Sequence, residues 1–396
     1  MTKHENSMLN IEHIMGCAPY PLSCGGGSGG KDRILFSPLN WGLGHAVRSI
    51  PLLKELSASG FEIILAGNGS SLEFLRKEFP YWQYLDLPFF EMRYSGGNSQ
   101  IIPILKAFPK IITASWKEHR RLKHLIREWN IDIVISDNRF GLFNKNCISV
   151  YITHQLTVNL PAGFRFLTPV VRKLHRIIIS KYTHCWIPDE PGTFNLSGNL
   201  SHNQVLPKNA RFIGILSRFK RETFLAETEK QYDFLFVLSG VEPQRTLLEE
   251  KIISFFREKP VCRAVLVRGV PCEKESIKDV EQLTIINQIS GKELKSLLEA
   301  SKIVVCRSGY TSVMELASLS QKAVLIPTPG QPEQEYLAEY LSSYPLFSCI
   351  KQDELNFSQL LLAAESVKNH SFSFSSGLLA EAIRDMVFNK DNLIKP

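Results

Sequence analysis

The 396-residue chain has no uninterrupted apolar run of about 18 residues or more, which argues against an ordinary membrane-spanning helix. Its opening, MTKHENSMLNIEHIMG, lacks the apolar core of a secretory signal, so the expectation is a cytoplasmic protein. The eight cysteines, at 17, 24, 147, 185, 262, 272, 306 and 349, form no CxxC pair and have no histidine at zinc-ligand spacing. Buried, reduced thiols are the reading that follows. Walker A, HExxH and GxSxG are all missing, and GLGH is not GxGxxG. P-loop, zincin, serine-hydrolase and dinucleotide chemistry are thereby set aside. No DxD stands at a strand end to hold a divalent cation. The net charge of +7 is too diffuse to argue for nucleic acid and suits smaller anionic partners or an anionic lipid surface.

What is present is globular: 44% hydrophobic and 21% charged residues, long enough for two domains. Residues 1–30 end in CGGGSGG without hydrophobic period and read as a disordered leader. From there buried-strand runs alternate with helices: RILFS, a helix in AVRSIPLLKELSASG closing at Gly60, FEIILAG, IDIVIS and ISVYIT. After the polar PGTFNLSGNLSHNQVLPKNAR the alternation restarts with FLFVLSG, a helix from Gln244, RAVLVRG, TIINQIS, KELKSLLEAS, KIVVCRS, TSVMELASL and AVLIPTP. Such alternation predicts two α/β, doubly wound parallel-sheet domains of Rossmann-like build facing a cleft. The expected boundaries are 31–195 for the first domain, 196–211 for a linker, 212–375 for the second domain, and 376–396 for a helix returning to the first.

The densest signal is KIVVCRSGYTSVMELASLSQKAVLIPTPGQPEQEYLAEYL, residues 302–341. A buried strand ends at Cys306, a small polar loop follows, and a helix begins near Thr311. Amides at that helix start, with the Ser308 and Thr311 hydroxyls, suit a phosphate. Glu315, one turn in, is placed to accept both hydroxyls of a ribose. Gln331, Glu333 and Gln334 fall on a loop at the same rim, where amides and acids bind sugar hydroxyls. A plain helix cap with Glu315 as a solvated acid fits the same residues.

This stretch resembles the C-terminal signature of GT-B glycosyltransferases, the group holding the N-acetylglucosaminyltransferase that makes lipid II and related UDP-glycosyltransferases. The resemblance implies that Ser308, Gly309 and Thr311 meet a nucleotide diphosphate, Glu315 holds the ribose, and Gln331 to Gln334 read the sugar. In FLFVLSGVEPQRT it implies that Ser239 and Gly240 close over the phosphates while Arg245 neutralises the leaving group. A surface pair between Arg245 and Glu249 is the alternative.

In FSPLNWGLGHAVRSIPLL, residues 36–53, Gly42 and Gly44 permit a tight turn and put His45 at a helix start. A helix N-terminus disfavours imidazolium, which keeps the ring able to accept a proton from an attacking hydroxyl. GT-B transferases resemble the chain here too, although Pro38, Asn40 and Trp41 depart from the glycine-dense form of the lipid II enzyme. Asp137, just past IDIVIS, is the proposed partner orienting His45; capping a turn with Asn138 is the other reading. His154 and Gln155, after the next strand, together with Gly44 and Arg48, are expected on the acceptor side, and His154 is the reserve base. His119, His124, His175 and His184 are expected to be solvated.

The function implied is an inverting, metal-independent transfer of a hexose, GlcNAc foremost, from a UDP-sugar to a hydroxyl acceptor, with no cofactor beyond the donor. A lipid-linked or cell-envelope acceptor and peripheral membrane contact follow from the basic, apolar segments IIPILKAFPKIITASW and FRFLTPVVRKLHRIIISKY. Core-facing helices with a basic outer face explain the same segments, and that reading is preferred. A UDP-sugar hydrolase of the pseudaminic-acid type, which shares GLGHAVRS-like features, and a non-catalytic sugar-nucleotide binder are the alternatives.

Overall fold

The computed structural model describes residues 31–89, 101–219, 229–240, 242–258, 261–270, 277 and 280–393. The expected leader, residues 1–30, lies outside them. The first domain runs β1 (Arg33–Pro38), α1 (Gly44–Ala58), β2 (Glu62–Gly67), α2 (Gly69–Glu78), β3 (Gln83–Asp86), α3 (Ile101–Trp129), β4 (Ile133–Asp137), β5 (Ile148–Ile152), α4 (Thr168–Ile179), β6 (His184–Ile187) and β7 (Ala210–Phe212). Its seven parallel strands lie in the order β3-β2-β1-β4-β5-β6-β7.

The second domain runs β8 (Tyr232–Val237), α5 (Gln244–Arg257), β9 (Ala264–Val267), β10 (Leu283–Ile286), α6 (Gly291–Ala300), β11 (Ser301–Cys306), α7 (Tyr310–Leu319), β12 (Ala323–Leu325), α8 (Pro332–Leu341), β13 (Phe347–Cys349) and α9 (Phe357–Ser366). Its six strands are ordered β10-β9-β8-β11-β12-β13, again all parallel. The two sheets are the pair of doubly wound Rossmann-like domains that the alternating pattern predicts. Strands such as β1 and β4 are near-continuous Ile/Leu/Val/Phe runs because helices cover both faces of a parallel sheet.

In each sheet the strand order reverses between the first strand and its crossover neighbour, between β1 and β4 and between β8 and β11. Ligands bind in such sheets at the carboxyl ends flanking that reversal. Pro38 pairs with Asp137 at one such end, and Val237 with Cys306 at the other. The loops leaving these four positions carry most of the residues singled out from the sequence.

One expected boundary is corrected. Residues 196–211 do not form a free linker, because β7 is the seventh strand of the first sheet and Leu196 and Leu200 are buried. Asp189, fully buried, staples this segment by accepting from the backbone N–H groups of Leu196 and Ser197, each at 2.9 Å, and from His202 Nε2 at 3.2 Å. A carboxylate satisfied by local N–H groups lets a Gly/Asn/Ser-rich stretch fold without regular structure. The first domain therefore extends to Phe212. The last helix, α10 (Leu378–Leu393), packs on α1 and β5, with Ala382, Ile383 and Met386 buried. One apolar core continues across the interface, from Ile50 and Leu53 of α1 to Tyr310, Val313 and Met314 of α7. No described helix is long and apolar enough to cross a membrane.

Candidate active site at the domain interface

Gly42, at φ +92°, turns the chain between β1 and α1 and leaves His45 in the first turn of the helix. There its Nδ1 meets Asp137 Oδ1 at 3.0 Å, the carboxylate coming from the end of β4. The sequence pairing is thus realised across 92 residues. Asp137 does not cap a turn. Both its oxygens are occupied, Oδ2 by Arg48 Nε at 2.8 Å and Oδ1 by Arg48 Nη2 as well as by His45. Burial opposes ionisation of Asp137, yet Arg48 and His45 outweigh it and hold the carboxyl well below the usual range. Burial is also the main reason the His45 imidazole titrates below its ordinary value; Asp137 pulls the other way and Arg48 reinforces the lowering.

Arg48, expected on the acceptor side, is instead 3% exposed beneath His45. Its Nη1 lies 3.0 Å from His154 Nδ1. His154 Nε2 donates to Glu333 Oε1 of α8 at 2.7 Å, and its ring stacks on Tyr310 of α7, with centroids 4.2 Å apart. With both ring nitrogens engaged, His154 is a bridge between the domains and no reserve base. Gln155 beside it is half-buried, and its backbone N–H donates to Thr153 Oγ1. The Gly44 carbonyl accepts from Thr311 Oγ1 at 3.0 Å across the cleft.

In the second domain, Gly309 caps α7 and has open space around its Cα. Ser308 differs from the expectation of a phosphate contact: it is buried, and its hydroxyl donates to the Gln334 carbonyl at 2.7 Å, bracing the loop from behind. Glu315 is no solvated acid. It is 7% exposed, accepts from Arg218 Nε at 2.5 Å, and has its pKa raised by burial against the pull of Arg218. Gln331 is the N-cap residue of α8 and accepts from Gln334 Nε2 at 2.7 Å, while Gln334 Oε1 accepts from the Thr328 N–H at 2.9 Å. Ser239 and Gly240 are exposed at the end of β8, Gly240 at φ +102°.

Arg245 is corrected. It is buried and bound to Glu249 Oε2 at 2.5 Å and to Glu242 Oε1 at 2.6 Å, so its charge is compensated before any diphosphate arrives. Arg268 shares Glu249, with Nε to Oε2 at 2.9 Å. Arg307, the residue after β11, is a buried cation. It donates to the carbonyls of Gln244 (2.7 Å), Pro327 (3.2 Å) and Ile326 (3.3 Å) and to Gln352 Oε1 (2.6 Å), and among the described residues no carboxylate pairs with it. Burial lowers its pKa to about 10, so it stays charged. Its sequence signal was an Arg directly after the switch strand; Arg218 and Arg268 had none.

His175 and His184, expected in solvent, are buried, His175 against Tyr151 at 3.1 Å and His184 on β6. Among the described residues, no group of three or more His, Cys, Asp or Glu converges as metal ligands do. The described cysteines are free thiols, Cys147, Cys185 and Cys306 buried and Cys262 and Cys349 half-buried.

Residues 263–391 match the glycosyltransferase family 28 C-terminal domain. The chain is a GT-B-type glycosyltransferase. A glycosyltransferase of uncharacterised function from Methanosarcina acetivorans is 23% identical to it over 78% of this chain and 81% of that protein. The UDP-N-acetylglucosamine–N-acetylmuramyl-(pentapeptide) pyrophosphoryl-undecaprenol N-acetylglucosamine transferase of a Sulfurihydrogenibium species is 22% identical over 89% and 93%. Among solved structures, the kitacinnamycin glycosyltransferase aligns at TM-score 0.61 and 16% identity, over 92% of this chain and 96% of that one. Acinetobacter baumannii MurG aligns at 0.51 and 13%, over 91% and 95%. At these identities the structural likenesses establish the fold of the transferase.

Proposed function

We propose that the transferase moves a hexose from a UDP-sugar to a hydroxyl acceptor with inversion and without a metal ion, using His45 as general base. The observation carrying this reading is the 3.0 Å contact between His45 Nδ1 and Asp137 Oδ1, at the start of one cleft-facing helix and opposite the start of another. With Nδ1–H donated to Asp137, His45 Nε2 takes the acceptor proton as the acceptor oxygen bonds to the anomeric carbon. The bond from that carbon to the phosphate oxygen breaks, and UDP leaves. Asp137 stabilises the imidazolium that forms. The α7 amides at Gly309 and the buried charge of Arg307 favour the diphosphate as it gains charge, a role suited to fixed groups in a water-poor site. Glu315 takes the ribose hydroxyls, and Gln331, Glu333 and Gln334 the sugar.

GlcNAc is the first donor sugar to test, and a lipid-linked, cell-envelope acceptor reached from the cytoplasmic side is the favoured acceptor class. Support for membrane contact comes from α4. Its outer face exposes Phe166 (just before the helix), Val170, Leu174 and Ile177 beside Arg172 and Lys173, whereas the sequence favoured an apolar face turned wholly inward. Apolar groups flanked by cations suit an anionic bilayer surface. The test is UDP binding and UDP release over a panel of UDP-sugars in EDTA, with and without polyprenyl-linked acceptors. Acceptor-stimulated release in EDTA supports the reading. Fast release without acceptor would mean a hydrolase, and tight binding with no release under any condition would mean a sugar-nucleotide binder.

A further inference from the structure

Arg48 joins a hydrogen-bonded chain running from Glu333 at the start of α8 to His45. A guanidinium only donates, so the 3.0 Å contact from Arg48 Nη1 makes His154 Nδ1 an acceptor. The His154 proton therefore sits on Nε2, which donates to Glu333 Oε1 at 2.7 Å. The other arms of Arg48 donate to Asp137, Nε to Oδ2 at 2.8 Å and Nη2 to Oδ1. His45 Nδ1 lies 3.0 Å from Asp137 Oδ1 and 2.9 Å from Arg48 Nη2; with the proton on Nδ1, as the reading of His45 as base requires, Nδ1 and Nη2 both donate to that one oxygen. The groups around His45 come from every element packed there: Arg48 from α1, Asp137 from β4, His154 after β5, Tyr310 from α7 and Glu333 from α8.

We propose that Arg48 and His154 are positioning residues that tie the tautomer and basicity of His45 to Glu333 of the second domain. The proposal rests on the reading of His45 as the base. Asp137 shared with a buried guanidinium stabilises the His45 imidazolium less than Asp137 alone would, which keeps the ring neutral and ready to take a proton. Glu333 supplies the far end. It is both the partner of His154 and a residue expected to meet the donor sugar, so the chain links the donor side of the cleft to the acceptor side.

The experiment is a pH titration of the full chain labelled with ¹⁵N-histidine, reading ring tautomers and midpoints by long-range ¹H–¹⁵N correlation. Signals are assigned with His45→Gln and His154→Gln. Expected are a proton on Nδ1 in His45 and on Nε2 in His154. Arg48→Ala should move the His45 midpoint to higher pH, while Arg48→Lys leaves it near wild type. Glu333→Gln, which removes an anion, should move it to lower pH and shift the His154 Nε2 resonance. A His45 proton on Nε2, a His154 proton on Nδ1, or a His45 midpoint indifferent to Glu333→Gln overturns the proposal. Should Arg48→Ala fail to fold with Asp137 left unpaired, Arg48→Lys and Glu333→Gln carry the test. None of these readouts needs turnover. If the shifts occur while His45→Ala keeps its turnover, the relay stands and the base assignment falls; if His45→Ala is inactive and the shifts are absent, the reverse holds.

Discussion

Thr311 Oγ1 of the second domain donates to the Gly44 carbonyl of the first at 3.0 Å, so the starts of α7 and α1 face each other across the cleft. A Cβ on Gly44 would stand 3.3 Å from that hydroxyl, so the Thr311 side chain would have to give by a few tenths of an ångström, disturbing this contact. The start of α7 and the helix start that carries His45 are thereby held against each other. Gly44→Ala is expected to lower kcat/KM for UDP-GlcNAc about tenfold by displacing His45, with little change in melting temperature. Steady-state kinetics beside a thermal melt check this; equal losses in both would point to a folding defect.

With His45 as the proposed base, the pH dependence of turnover follows from its burial. A base acts only when unprotonated, so kcat/KM falls on the acid side as the ring gains its proton. Because the His45 pKa is lowered, that fall should come below the ordinary histidine value of about 6.5. A kcat/KM profile from pH 5 to 9 gives the midpoint, and an acid limb above the ordinary value would contradict the environment described for His45.

Glu315 offers a contrast between two nucleotides. On the proposed role of Glu315, replacing it with Gln removes a charge-assisted acceptor for the ribose hydroxyls, so UDP affinity should fall about ten- to hundredfold. Affinity for 2′-deoxy-UDP, which lacks one of those hydroxyls, should fall less. Calorimetric titration of both ligands separates the cases, since a structural role for the Arg218–Glu315 pair would weaken them equally.

His175 should make the fold acid-sensitive. Burial pushes its pKa down to about 4, so the folded state favours the neutral ring. The stability this confers is present above the unfolded value of about 6.5 and is lost as pH falls toward the folded value. Between pH 7.5 and 4.5 the wild type should lose about 2 kcal/mol more than His175→Gln in urea unfolding. Parallel losses would mean that other groups carry the acid sensitivity.

The reach of the sequence can be judged from these residues. Strands such as RILFS and KIVVCRS were legible because parallel sheets demand continuous apolar runs, and the loops after them could be assigned to the cleft because strand ends fix where ligands bind. His45 and Asp137 followed from that placement. Arg48, Ser308 and Arg245 were assigned to the right region and the wrong surroundings. Each is a polar side chain whose partners lie far along the chain, so whether it faces ligand or protein depends on long-range packing. The chain 196–211 misled because its Gly, Asn and Ser content is that of a loop, while the carboxylate that orders it, Asp189, precedes it. The outward apolar residues of α4 could not be told from core residues, since spacing gives a face and not its direction.

The central claim is that His45 is the base of a glycosyl transfer from a nucleotide donor. Its most direct test is the rate of UDP formation from UDP-GlcNAc in EDTA by wild type and His45→Ala, with UDP affinity measured on both proteins. The account predicts a loss of about 10²–10⁴-fold in rate with UDP affinity unchanged, since the imidazole serves the acceptor and not the donor. A variant that turns over at the wild-type rate would contradict it.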